Sequence, residues 1–427
     1  MYRRLIMRRP NVGLLVALAA LANSSSMLYA ANWPQWRGPE RNGVSSETGL
    51  RDEWPAEGPK LLWQVDNLGG GYSTPAVVGD RLYILGSSDL ENEFVQALDA
   101  VDGGKQIWQK RIGKVGEPNQ RPPYPGARST PTVDGQRLYV LGSDGDLLCL
   151  DAASGQTIWQ KNLRTDFGGD PGEWAYSESP LVDGDVLVCT PGGSEATIIA
   201  LDKNSAEPLW KLPIEGGEEA AYSSVVVSNA AGVKQYVQFL AKGVVGVDAA
   251  TGKLLWRYDR TAQGSPANIP TPLVYGDYVY TASGRGGGAM IKIVKNADGS
   301  LAAEEAYYEG NLPKAIGGTV IVDDHMYGAS SDSLMCVEPT TGEVKWRERS
   351  LGAASLCAAD GHLYLHGENG EVALVEANPS QYREKGRFTP PGAPDRGNSK
   401  AWAYPVIADG KLYIYDTGTL WCFDVSQ

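Results

Sequence analysis

The chain has 427 residues, with 51 Asp and Glu against 38 Lys and Arg, giving a formal net charge of −13. A surface this acidic repels phosphate backbones, which excludes nucleic-acid binding through a basic face; a hydrophobic content of 42% excludes global disorder. With 52 Gly, 26 Pro, 12 Trp and 21 Tyr, the composition favours many short strands and tight turns over long helices.

In chain order, residues 1–30 read as an export signal. Arg3, Arg4, Arg8 and Arg9 form a positive n-region, Val12–Ala22 an apolar core, and Leu28-Tyr29-Ala30 a cleavage site before Ala31. The apolar run is about 11 residues, against the ~20 that a spanning helix needs, so no transmembrane segment is expected. The two Arg-Arg pairs leave twin-arginine export open beside the general route. Lipid anchoring at the cleavage site requires a Cys there, and the first is Cys149. The expectation is a soluble, monomeric protein, periplasmic or secreted.

An extension over 31–59 precedes an isolated strand, Lys60-Leu61-Leu62-Trp63-Gln64-Val65. From there a unit repeats, with starts near Tyr72, Arg128, Tyr176, Tyr222, Asn268, Ala315, Ala353 and Trp402. Most units end in an acid, a Gly four residues on, and a Trp eight on: Asp151, Gly155 and Trp159; Asp248, Gly252 and Trp256; Glu338, Gly342 and Trp346. Asp202 to Trp210 keeps the spacing with Ala206 in the Gly position, and Asp99 to Trp108 is one residue longer. The acid can bond turn amides, Gly accepts positive φ, and Trp begins the returning strand. Trp63, Trp108, Trp159, Trp210, Trp256 and Trp346 are thus assigned as structural docking residues between neighbouring units.

Each unit carries four short alternating runs over roughly 46 residues, the pattern of a four-stranded antiparallel blade repeated around an axis. The last unit reaches its acid, Asp424, with no Trp strand after it, and the isolated strand around Trp63 supplies what is missing. The fold expected is all-β: an eight-bladed β-propeller over 60–427, closed by its N-terminal strand completing the last blade. Two units lack the Trp, and Tyr307 or Tyr308, and Phe388, are the expected substitutes. Cys149, Cys336 and Cys422 occupy one repeated slot that elsewhere holds Ala97, Ala200 and Gly246, so that slot is small and buried, and the thiols are structural.

These blades resemble the tryptophan-docking repeats of the quinoprotein dehydrogenases and of the outer-membrane assembly lipoprotein of the β-barrel assembly machinery. The opening Trp33-Pro34-Gln35-Trp36-Arg37-Gly38-Pro39 with Arg41-Asn42-Gly43 looks like that of exported PQQ-binding-like propellers of planctomycete type. The catalytic branch carries two adjacent cysteines beside its quinone, and no Cys-Cys pair occurs here.

No catalytic residue is assigned. His362 and His366 share a strand face but lie ~13 Å apart along it, too far to bind one metal ion, and no metal site is expected. Gly284–Gly288 lacks the Gly-Lys-Ser/Thr ending of a phosphate loop and reads as a hairpin turn. The positions preceding each innermost strand ring the channel mouth of a propeller: Tyr72, Arg128, Trp174, Tyr176, Glu178, Tyr222, Asn268, Lys314, Trp402 and Tyr404. Aromatics with a few charges suit a ligand or partner site; the other reading is that they plug the channel mouth and bridge blades. The Pro-rich segments 114–126 and 378–400 are candidates for its rim. The function expected is a non-catalytic scaffold that binds an envelope protein or peptide, in envelope or outer-membrane assembly, with no cofactor. The alternative, implied by the resemblance, is a short PQQ-dependent oxidoreductase, with Arg128, Glu178 and Asn268 holding quinone carboxylates and Ca²⁺. Carbohydrate or peptide sensing by the aromatic ring is a third, weaker reading.

Overall fold

The computed structural model describes residue 1 and residues 31–117, 119–120, 124–264 and 267–427; the expected leader over 2–30 lies outside the described residues. Alternating runs such as Arg137–Leu141 and Asp146–Asp151 bury one apolar row after another and pair as antiparallel hairpins. The result is eight four-stranded sheets. Blade 1 runs from Ala76–Val78 to Gln106–Gly113, blade 2 from Thr132–Asp134 to Thr157–Asn162, and blade 3 from Leu181–Asp183 to Pro208–Leu212. Blades 4 to 7 follow in the same way, the last ending at Glu384–Phe388. In blade 8, Lys60–Val65 pairs with Thr419–Asp424, with Trp63 opposite Cys422 and Val65 opposite Leu420. The ring is closed by the two ends of the propeller, as the missing Trp strand predicts. First strands of neighbouring blades lie against one another near the axis, while the outermost strands carry the exposed residues.

Register explains the repeated slot. Trp108 faces Ala97, Trp159 faces Cys149, Trp210 faces Ala200, Trp256 faces Gly246, Trp346 faces Cys336, and Trp63 faces Cys422. A Cβ at Gly246 would come within 2.1 Å of the Trp256 indole, so only a small residue fits beneath a Trp. Five of these indoles donate to a carbonyl at the turn of the next blade, whereas Trp256 donates to Gln235 Oε1 of its own blade. Trp63 donates to the Ala100 carbonyl at 3.3 Å, Trp108 to Ala152 at 3.2 Å, Trp159 to Lys203 at 3.0 Å and Trp210 to Ala249 at 3.2 Å. Those carbonyls follow the turn acids, whose carboxylates hold the turn amides, as Asp151 holds Ser154 N and Asp248 holds Thr251 N. Gly155 and Gly252, both at positive φ, leave room for the Trp108 and Trp210 rings of the preceding blade. The acid–Gly–Trp spacing therefore encodes the contact between blades as well as the hairpin. The five cysteines are buried and free.

The Trp-less blades differ from each other. In blade 5, Tyr307 faces Met290 and donates to the Pro339 carbonyl at 2.9 Å, so a longer slot residue meets a smaller ring. In blade 7 the position opposite Leu374 is Gly386, so Phe388 is not the substitute. The indole comes instead from Trp54, in the N-terminal extension. Its Cβ lies 2.6 Å from where a Gly386 Cβ would sit, and its ring packs 5.9 Å from Tyr364 and 5.5 Å from Phe388.

Candidate functional site

The loops before the innermost strands carry hydroxyl residues next to proline, as in Ser73-Thr74-Pro75 and Ser129-Thr130-Pro131. These hydroxyls pass hydrogen bonds around the axis. Tyr404 N donates to Thr74 Oγ1, Ser73 Oγ to the Ser129 carbonyl, Thr130 N to Ser179 Oγ, Ser179 N to Ser224 Oγ and Ser224 N to Thr271 Oγ1. Buried and hydrogen-bonded through all its members except the Thr130 hydroxyl, this belt fixes the residues just ahead of it.

Those residues line a cavity of about 220 Å³ on the axis. Tyr72, Tyr124 and Trp402 form one cluster, with centroids 5.0 Å apart for Tyr72–Trp402 and 4.7 Å for Tyr124–Trp402. Trp174 and Tyr222 stand edge to face at 5.8 Å, and the Trp174 amide donates to the Tyr222 hydroxyl at 3.1 Å. Trp36 and Tyr404 meet at 4.6 Å. Ser177, Ala267, Ile269 and Ile316 complete the wall. Among the described residues, Arg128 is its one charged residue. The guanidinium donates to Gln120 Oε1 at 2.6 Å and to the Tyr124 carbonyl, and Nη1 has no partner. No carboxylate lies within 4.0 Å of it among the described residues. Burial pulls its pKa down to about 10, against weaker support from Tyr72 and Glu93.

The far side of the cavity is crossed by the N-terminal segment. Trp33 exchanges two backbone hydrogen bonds with Val77 of blade 1, and Val133 of blade 2 donates to the Pro34 carbonyl. Trp36 Nε1 donates to Thr271 Oγ1 beside blade 5, Arg37 to the Thr319 carbonyl of blade 6, and Arg41 to the Ser179 and Pro180 carbonyls beside blade 3. Gly43 and Ser45 bond to Ala358 of blade 7, and Ser45 Oγ donates to Ile407 of blade 8. The extension is thus a floor across the channel, and Trp36 is the part of it that the cavity sees.

Of the ten candidates, Tyr72, Arg128, Trp174, Tyr222, Trp402 and Tyr404 line this cavity. Four candidates do not. Tyr176 is in the blade core, with its hydroxyl on the Pro191 carbonyl at 2.7 Å. Glu178 is 1% exposed and accepts from Thr190 N, Thr190 Oγ1 and Gln238 Nε2; burial raises its pKa to about 7. Asn268 Nδ2 donates to the Leu240 and Ala241 carbonyls. Lys314 Nζ turns to the Gly310 carbonyl at 2.7 Å. Segment 114–126 brings Tyr124 to the cavity, whereas 378–400 contains the outer strand of blade 7 and places Arg396 on Asp416. Among the described residues, no group of three or more His, Cys, Asp or Glu is placed to hold a metal ion.

Three of the residues that were missed, Ser177, Ile269 and Ile316, follow a rule. Counting three back from the Pro, or from its equivalent, gives Tyr72, Arg128, Ser177, Tyr222, Ile269, Ile316 and Trp402, and all of them line the cavity. Aligning the units on that Pro finds Ser177, Ile269 and Ile316 without a structure. Tyr176, Glu178 and Asn268 are each one residue out of phase, and in extended chain one residue reverses the direction of a side chain.

A family model described as "Outer membrane protein assembly factor BamB" matches residues 91–348. The outer membrane protein assembly factor BamB of Shewanella oneidensis is 24% identical over 314 residues, covering 68% of this chain and 73% of that protein. A polyvinylalcohol dehydrogenase of a Sphingopyxis species is also 24% identical, over 318 residues, but only 41% of that enzyme is covered. Among solved structures, BamB from Moraxella catarrhalis superposes with a TM-score of 0.62 at 16% identity, covering 86% of this chain and 99% of that one. The quinohemoprotein alcohol dehydrogenase from Comamonas testosteroni gives 0.65 at 14% identity, covering 93% and 81%. At these identities the structural likeness establishes the eight-bladed fold.

Proposed function

The chain belongs to the PQQ-like β-propeller family described as outer membrane protein assembly factor BamB, and from that premise we propose that it is an exported, non-catalytic scaffold for protein interactions in the cell envelope, presenting the aromatic mouth of its channel to a partner polypeptide. The observation that carries the reading is the wall of the cavity. Trp and Tyr offer large, rigid contact area with little side-chain entropy to lose, which is the chemistry of binding hot spots. Here they are held by a buried, hydrogen-bonded hydroxyl belt, so little reorganisation opposes binding. No helix among the described residues is long and apolar enough to cross a membrane.

The same wall does not fit a quinone with several carboxylates and a calcium ion. Of the three residues that the oxidoreductase reading needs, Glu178 spends its oxygens on Thr190 and Gln238, and Asn268 gives its amide N–H groups to backbone carbonyls. Only Arg128 remains at the surface of the cavity. Saturating PQQ with Ca²⁺ is expected to leave the melting temperature unchanged; a rise would restore that reading.

The scaffold is tested with a photo-crosslinking side chain at Trp174 and, as a control, at Ile158, which is 46% exposed on an outermost strand. In envelope fractions, discrete adducts from position 174 and none from 158 are expected. Adducts from 158 alone would contradict the reading.

A further inference from the structure

We propose that the channel cavity recognises a carboxylate carried on an apolar body about the size of an aromatic ring. The inference rests on reading the mouth as a binding surface, and it names what that surface selects. The volume of about 220 Å³ suits such a group, since an apolar cavity of about 150 Å³ is known to hold benzene. Seven aromatic side chains supply the apolar contact, but an aromatic cage by itself favours a cation. Arg128 reverses that preference. Among the described residues it is the one charged group in the wall and has no acid partner within 4.0 Å, and its desolvation is only partly offset by Tyr72, Glu93 and Tyr222. A carboxylate arriving there would supply the missing counter-charge and accept charge-assisted hydrogen bonds.

A second guanidinium reinforces the sign. Arg37 lies 5.7 Å from the Tyr404 ring, is 2% exposed, and bonds only to backbone carbonyls, with Nε and Nη1 unpartnered. The axis is therefore positive at a point where the protein as a whole carries −13. The floor made by Trp36 prevents a chain from threading through, so the carboxylate enters end-on. It belongs either to a free aromatic or aliphatic acid or to the end of a polypeptide.

The test is a titration followed by intrinsic tryptophan fluorescence on the whole exported chain. Its probes are 3-phenylpropanoate, the neutral 3-phenylpropanamide, and one short peptide ending in Phe with either a free or an amidated C-terminus. The acid is expected to bind roughly tenfold or more tightly than its amide. Arg128→Gln should remove that ratio, and Arg128→Lys should keep part of it. Tighter binding by the free-ended peptide than by the small acid assigns the carboxylate to a polypeptide; the reverse assigns it to a free acid. Equal binding of acid and amide to the unmodified protein, no saturable binding of either, or an unchanged ratio in Arg128→Gln would overturn the proposal. Crosslinks from position 174 with no preference for acid over amide would overturn it and leave the scaffold standing.

Discussion

Blades 2 and 7 solve the same packing problem from opposite ends of the chain. In blade 2 the outer strand brings its own Trp159, seated over Cys149 and tied to Lys203 of blade 3. In blade 7 the outer strand offers Gly386, the slot residue grows to Leu374, and Trp54 arrives from the N-terminal segment. Its amide donates to the Lys385 carbonyl at 2.8 Å. The comparison teaches that the ring demands an aromatic group at each junction but does not demand that it be local. The same segment that completes blade 7 also makes the floor of the cavity, so wall and site depend on one stretch of chain.

If that is right, Trp54→Ala should destabilise the protein by about 3–5 kcal/mol, as much as Trp159→Ala, because each leaves a core cavity that its neighbours cannot fill. Urea unfolding of the two variants reads this directly, and a loss below about 1 kcal/mol for Trp54→Ala would break the equivalence. Gly246→Ala tests the slot from the other side. Its new Cβ meets the Trp256 ring at 2.1 Å, so overpacking should cost about 1–3 kcal/mol. Cys422→Ala, in a slot where blade 1 already uses Ala97, should cost only about 1 kcal/mol.

A pH-dependent contrast is subtler. Burial holds the carboxyl groups of Glu178 and Glu93 near 7, above their unfolded value of 4.5. Between 4.5 and 7 the folded state then binds more protons than the unfolded one, so these groups stabilise the protein at low pH and lose that contribution as pH rises through 7. Buried His366 acts in the opposite direction, its pKa lowered by desolvation against the pull of Asp416, so its contribution falls away as pH drops below 6.5. Taking the difference between the native protein and Glu178→Gln removes the other groups. The native melting temperature should fall relative to the variant between pH 5 and pH 7.5; a parallel pair of curves would contradict a neutral buried Glu178.

Much of the ring was legible because each blade writes its own signal within about 46 residues. The recurrence of Cys149, Cys336 and Cys422 marked the slot, and the absent strand after Asp424 marked the closure. Trp54 was not legible, because its partner Gly386 lies across the whole propeller and no local period links them. Within the site, Tyr72, Arg128 and Trp402 were found because they share a phase with the Pro of the inner strand. Tyr176, Glu178 and Asn268 share its neighbourhood but point the other way. Trp36 was visible as part of a dense aromatic motif, yet only its bond to Thr271 places it in the channel.

The account turns on residues 33–54 being built into the ring, since they form both the junction of blade 7 and the floor of the cavity. Amide hydrogen exchange measures this directly. The Trp33, Ser45, Arg51 and Trp54 amides, bonded to Val77, Ala358, Val425 and Lys385, are expected to exchange as slowly as those of the inner strands. Exchange of these four within seconds, beside protected blades, would contradict it.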